Sequence, residues 1–407
     1  MAAGLGWIDF SKEHRDRVFS VIDMLSEGGT VDELGIGVIR DALADYLFPG
    51  VTTIQTRPKY FILIPQLLQS YEKSYRDRLP LDPLASWLEE AEHQLMLELA
   101  SNYSYAENNG VIGINVARNK GRLARTASSV YWNGIRVHGI VDTHYSLNDY
   151  LRRNNLAGMV RNTVNGQSDE EEGLAELAGF GLHLPRFEQE GPLTLDLSAE
   201  QARYLRDQFR DNRSGKKWPD NLLKCLLESP GLSRVARDAA NFETLAAYLL
   251  DGARLPSATA KVLRLAVDFA FIIHGAHIRF NIQLHRQAGT GNFQSAWEDW
   301  LGTLEQKRPG LAGFDLSYLL GTVAPQTRGD TKTFITEWHR SVLTGPVNEA
   351  QLDALVRAQE VANKKGKAKL TSKSGAYTGW VGISELNYRF PRVQSIITDI
   401  LKALEND

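Results

Sequence analysis

Cysteine is nearly absent from this chain: Cys225 stands alone among 407 residues. One thiol excludes an internal disulfide framework and any zinc site built on several cysteines. Its neighbours Leu222, Leu223, Leu226 and Leu227 form an apolar helical run, where a free cysteine behaves as a small buried hydrophobe. Long apolar runs are missing too. The longest, such as Phe269 to Ile273, fall far short of the roughly 20 residues that cross a bilayer. The opening Met1-Ala2-Ala3-Gly4-Leu5-Gly6 has no basic start and no sustained apolar stretch. No signal peptide and no membrane association are therefore expected, and the expected compartment is the cytoplasm. Net charge is small as well. Lys plus Arg total 46 against 49 for Asp plus Glu, giving −3 at pH 7. That balance argues against polyanion binding by the whole surface, but it leaves room for a local basic patch.

Catalytic motifs are also lacking. Gly35-Ile36-Gly37 and Gly289-Thr290-Gly291 do not lead into the Gly-Lys-Ser/Thr of a phosphate loop. No Gly-x-Ser-x-Gly elbow occurs. Asp41 and Asp45 sit four apart beside Arg40, the ordinary spacing of an exposed acidic pair on a helix. Clustered acids also serve metal-dependent nucleases, so a cryptic nuclease stays open as an alternative.

What is present is helical periodicity. Apolar spacing predicts helices at 11–25, 30–47, 83–100, 127–138 and 146–153. Further along it predicts them at 198–209, 219–227, 232–239, 242–250, 258–287, 293–305, 331–342, 348–363 and 391–404. Two β-prone runs interrupt this order: Thr52-Thr53-Ile54-Gln55-Thr56 and Tyr60-Phe61-Ile62-Leu63-Ile64, with Arg57-Pro58 between them. Two helices followed by two short strands is a winged-helix-like order. A buried helix starting near Tyr60 is the competing reading. Residues 163–173 are polar and acidic without periodicity, and Pro185 and Gly191-Pro192 extend the irregular stretch. The expected fold is thus mainly α. An N-terminal domain (1–162) mixes helices with short strands and is helix-turn-helix-like. A linker (163–192) follows, and then an all-α domain (193–407) with a flexible basic loop at 364–373.

Three constellations could carry function. His274, His277, Asn281 and His285 share one side of the long helix at 258–287. At 100° per residue His277 lies about 60° behind His274, and His285 about 20° ahead of it. The glutamate of a His-Glu-x-x-His zinc site is missing, because Gly275 stands in its place. The expectation is a polar cluster tying helices together, with no metal. The second constellation is basic. Arg118, Lys120, Arg122 and Arg125 lead into the 127–138 helix, as a basic arm leads into a DNA-reading helix. Arg57 and Lys59 lie in the wing-like region. Lys364, Lys365, Lys367, Lys369 and Lys373 fall in the basic loop and could neutralise phosphates. The third constellation is aromatic: Tyr103, Tyr105, Tyr131 and Trp132 surround the first basic stretch. They could stack bases, although packing in a core is the commoner use.

Several stretches together resemble an uncharacterised bacterial family, a domain of unknown function of about this chain's length. Near the start, Gly6-Trp7-Ile8-Asp9-Phe10-Ser11 matches its opening. Asp32-Glu33-Leu34-Gly35-Ile36-Gly37, Arg40-Asp41-Ala42, Leu47-Phe48-Pro49-Gly50, Ile54-Gln55-Thr56-Arg57 and Tyr60-Phe61 match its most distinctive block. Ser128 to Ile140, His274 with Asn281, and Leu386-Asn387-Tyr388-Arg389 resemble later blocks. The family resembles proteins encoded in bacterial defence islands, near helicases and phospholipase-D-like nucleases. That implies a non-catalytic accessory subunit of an antiphage complex, with no cofactor and no catalytic residue to carry over. Such a subunit would contact a helicase or phospholipase-D-like partner, and DNA through its basic loops. A structural scaffold or sensor of a phage protein, without nucleic-acid binding, is the remaining alternative.

Overall fold

The structure, a computed structural model, describes residues 31–405 except 78, 105–108, 120, 124, 157–179, 189–190, 212–218, 290 and 373–376. The helix expected at 11–25, the acidic stretch at 163–173 and the family-like opening at Gly6 lie outside the described residues. So do Tyr105, Lys120 and Lys373.

The described chain is mainly helical. In order come α1 (Gly37–Leu47), α2 (Tyr60–Arg76), α3 (Leu84–Ser101), α4 (Ile114–Arg118), α5 (Ala127–Val137) and α6 (Leu147–Arg153). Then follow α7 (Ala199–Asp211), α8 (Leu222–Glu228), α9 (Pro230–Asp238) and α10 (Phe242–Gly252). The remaining longer helices are α11 (Ser257–Ala288), α12 (Gln294–Leu311), α13 (Gly329–Leu343), α14 (Glu349–Lys364) and α15 (Phe390–Glu405). Local chemistry sets many of the starts. Thr126, Ser146, Asn221, Asn241 and Asn348 each accept an N–H from the first turn of the helix they precede.

The short strands are not there. Among the described residues the one β feature is an isolated bridge between Val141 and Leu182. Residues 52–56 are turn and irregular backbone, and Tyr60–Ile64 opens α2. The winged-helix order is therefore corrected to helix after helix. The cause is burial: Tyr60, Phe61, Ile62, Leu63, Ile64 and Pro65 are all buried, so the first turns of α2 show no polar face. Amphipathic spacing returns only at Leu68 and Tyr71.

The chain forms two compact units, each discontinuous in sequence. Among the described residues, one takes those up to Ala44 together with those of Ala260–Tyr388, and the other takes those of Asp45–Thr259 with those from Arg389 on. In the second unit α2 packs against α3 and α5, and α3 also against α4 and α6. Helix α15 lies against α7 and α9. Gln394 of α15 donates to the Ala236, Arg237 and Ala239 carbonyls at the end of α9, filling acceptors that a helix terminus leaves open.

In the other unit α11 is the central element. Its middle is buried nearly all round. Trp300 of α12 donates to Phe271 O (3.0 Å) and Trp338 of α13 to Ile272 O (2.9 Å). Arg279, 1% exposed, pairs with Asp353 (2.7 Å) and Glu349 (2.8 Å) of α14, and its guanidinium lies over the Trp297 ring. A buried cation is tolerable only when paired and hydrogen-bonded in this way. Gly275 is where α12 crosses α11. A Cβ there would stand 2.5 Å from Trp300 Cζ2, so no glutamate could occupy the position. No described helix is long and apolar enough to cross a membrane.

Candidate functional site

The basic arm and its helix come first. Helix α5 starts at Thr126, whose hydroxyl accepts the Ser129 N–H, and a second acceptor sits beside it. Glu92 of α3 accepts from Ser128 N (2.5 Å) and Ser128 Oγ (2.8 Å). Burial pushes the Glu92 carboxyl up to about 7, against the pull of those donors. The helix itself is sunk in the second unit. Ala127, Ser128, Val130, Tyr131, Trp132, Gly134 and Ile135 are all buried. Gly134 lets the helix approach the chain: a Cβ there would meet Gly50 O at 2.5 Å and Phe61 Cε1 at 2.7 Å. Tyr131 Oη accepts from Thr56 N (2.7 Å) and donates to Arg57 O (2.9 Å), and Trp132 Nε1 donates to Tyr145 O. Tyr131 and Trp132 are core, and Tyr103 is half-buried, its hydroxyl accepting the Leu195 N–H. A helix buried on most of its circumference has no face to lay into a DNA groove, so the reading-helix expectation for 127–138 is corrected.

The basic side chains around it divide. Arg118 and Arg122 are exposed, and Arg122 pairs with Glu90 (2.7 Å) and Glu89 (3.7 Å) on α3. Arg125 is half-buried. Arg57 and Lys59 are not wing residues. Arg57 bonds Asp399 (2.5 Å), Asp196 (2.9 Å) and Asn109 O (3.3 Å). Lys59, 5% exposed, donates to Asp196 O (3.0 Å) and Gln201 Oε1 (2.5 Å). Burial brings its ammonium down to about 8, with Asp196 opposing. Both cations tie segments of the second unit together, Lys59 buried and Arg57 largely so.

The histidine face of α11 has a clear occupant. An irregular strap, residues 379–384, runs along it with its backbone held by side chains. His285 Nε2 lies 2.8 Å from Gly379 O, and His274 Nδ1 lies 3.0 Å from Ser384 O. Carbonyl oxygens only accept, so each ring nitrogen donates. Asn281 grips Val381 at two points: its Nδ2 donates to Val381 O (3.0 Å) and its Oδ1 accepts the Val381 N–H (2.8 Å). Trp380 stacks on the His274 ring, with centroids 5.5 Å apart. His277 is buried, and its ring is pushed down to about 3 by desolvation and the neighbouring His274. Three of the four singled-out residues thus serve a backbone clamp within one unit. Among the described residues no group of three His, Cys, Asp or Glu side chains is placed to hold a metal.

The lysine segment differs most from its expectation. It is not a loose loop. Helix α14 ends at Lys364, and residues 365–367 make one tight turn. Ala368 and Leu370 are buried. Glu360, fully buried, accepts the N–H groups of Lys369 (2.5 Å) and Leu370 (3.0 Å). Glu33, 1% exposed, pairs with Lys369 and with Lys364 (3.5 Å). Asn363 Nδ2 donates to Asp32 O and Glu33 O, both at 3.0 Å, and Gln359 Nε2 donates to Leu34 O (2.7 Å). Asp32 in turn caps α1 by accepting from Ile36 N and Gly37 N. The Asp32–Gly37 block is thus the seat of the lysine turn. Lys365 and Lys367 are exposed. Sequence reasoning missed Glu33, since nothing local joins it to a lysine more than 300 positions away.

Residues 2–155 match a family described as a family of unknown function (DUF6361). The match covers the N-terminal part of the chain. Asp32–Gly37, Leu47–Gly50, Tyr60-Phe61 and Ser128–Ile140 all fall within the match. The blocks at His274 and Leu386 lie beyond it. No curated protein and no solved structure matches the chain.

Proposed function

We propose that this chain is a non-catalytic accessory subunit of a bacterial antiphage defence complex, contacting partner proteins and DNA. The observation that carries the DNA contact is the ordered lysine turn. Glu360 holds the backbone N–H groups of Lys369 and Leu370, and Glu33 occupies the Lys364 and Lys369 side chains, while Lys365 and Lys367 face solvent. A pre-shaped basic turn binds phosphate without first losing loop entropy, an advantage that a disordered lysine tract lacks. The partner proteins follow from the family resemblance and would be a helicase or a phospholipase-D-like nuclease.

The test is fluorescence anisotropy on a labelled duplex across a salt series. The affinity should fall steeply with salt, and the double variant K365A/K367A should flatten the logarithmic slope by about 1.8. Binding with no salt dependence, or with a slope unmoved by the double variant, would refute the reading. Absence of binding together with co-purification of a partner would point to the scaffold instead.

A further inference from the structure

We infer that Arg328, Lys365 and Lys367 form one phosphate clamp that grips the DNA backbone without reading bases. This rests on the DNA-binding reading above and adds to it a residue, a geometry and a mode of recognition.

Arg328 stands immediately before α13, and its guanidinium lies beside the end of α14. Nη1 is 3.4 Å from Asn363 Oδ1, and Nη2 is 3.2 Å from Ala362 O. It also pairs with Asp330, yet the side chain stays 52% exposed. Its contacts reach Ala362 and Asn363, the residues just before Lys364, where α14 gives way to the turn. Asp330 meets Arg328, whereas Glu33 and Glu360 are buried beneath the turn and spent on Lys364, Lys369 and backbone N–H groups. Lys365 and Lys367 are exposed on the turn's solvent side.

Lys365 adds an independent observation. It caps α14 with φ 51° and ψ −126°, a conformation that side chains resist and glycine adopts freely. Helices favour glycine at such an end. Gly366 stands next door, yet a lysine occupies the strained position. Backbone strain of this kind clusters at functional sites. Lysine and arginine side chains on phosphates fix position and carry no sequence information.

The experiment uses the full chain and duplexes of equal length and different sequence. Each lost phosphate contact should weaken binding about eightfold at 0.1 M salt and reduce the salt slope by about 0.9. R328A and K365G should each do this, R328K should retain the slope, and all duplexes should bind alike. K365G should also raise the Tm, since it removes the strain, while lowering affinity. If K365A/K367A weakens binding and R328A does not, the clamp is wrong but the basic turn still binds DNA. If R328A and R328K lose equally, Arg328 only ties α14 down, and the clamp is likewise overturned. A fall in Tm for K365G, or strong discrimination among duplexes, would overturn it too. If wild-type protein binds no duplex, the clamp and the DNA-binding reading fall together.

Discussion

Gly275→Ala should destabilise the protein, although it replaces a helical glycine by the best helix former. In open space that exchange stabilises by about 1 kcal/mol. Here the new methyl would lie 2.5–2.8 Å from three ring atoms of Trp300. The indole is held from three sides. It stacks on Trp297 (4.9 Å between centroids) and on Phe271 (5.4 Å), and its Nε1 donates to Phe271 O. Overpacking of a fixed core group costs about 1–3 kcal/mol. Losing the indole hydrogen bond in a buried site costs about 1–3 kcal/mol more. The net destabilisation is then about 1–5 kcal/mol, with the centre near 2–3. Urea denaturation followed by tryptophan fluorescence measures it. Gly302→Ala is the matched control, because Gly302 lies in α12 with nothing within 4 Å of a Cβ. It should be neutral or stabilising by up to about 1 kcal/mol. A Gly275→Ala protein as stable as wild type would refute the close-approach argument, and with it the account of why α11 lacks an acid at this point.

Three further outcomes are expected. The Glu92 carboxyl, raised to about 7 by burial, favours the folded state below the unfolded value near 4.5 and loses that contribution as pH rises through 7. Glu92→Gln should therefore flatten the loss of stability between pH 5 and pH 8, worth at most about 3 kcal/mol, and equal pH slopes for the two proteins would contradict this. His138 and His277, both pushed down to about 3 by burial, stay neutral in the fold while the unfolded chain protonates near 6.5. Stability from them is whole above 6.5 and drains away as pH falls toward 3, and an NMR titration should show neither imidazole charging above pH 5. Asn281→Ala leaves Val381 N and O without partners and should cost about 2 kcal/mol or more. Hydrogen exchange at Val381 that stays unchanged would disprove the clamp.

Most helices were legible in the sequence, because their apolar residues fall at helical spacing. The predicted runs at 83–100, 127–138 and 258–287 agree with α3, α5 and α11 to within a residue or so. Helix α2 was obscured by the burial that makes it important: six buried residues in a row imitate a strand. The site was less legible, for a different reason. Charge composition marks the lysine turn but not its occupancy. Arg57 looks like a free cation until Asp196 and Asp399 arrive from 139 and 342 residues away. The polar face of α11 was visible by period. Its occupant, a backbone strap with no pattern of its own, was not.

The interleaving of the two units has a consequence during synthesis. Helix α15 completes the unit that contains α7 and α9, yet the ribosome makes it only after the whole Ala260–Tyr388 segment. At about 5–20 residues per second, some 130 intervening residues impose a wait of the order of ten seconds. Through that interval the faces that α7 and α9 turn to α15 are without it. A bound chaperone, or a partner already in place, would have its opportunity then.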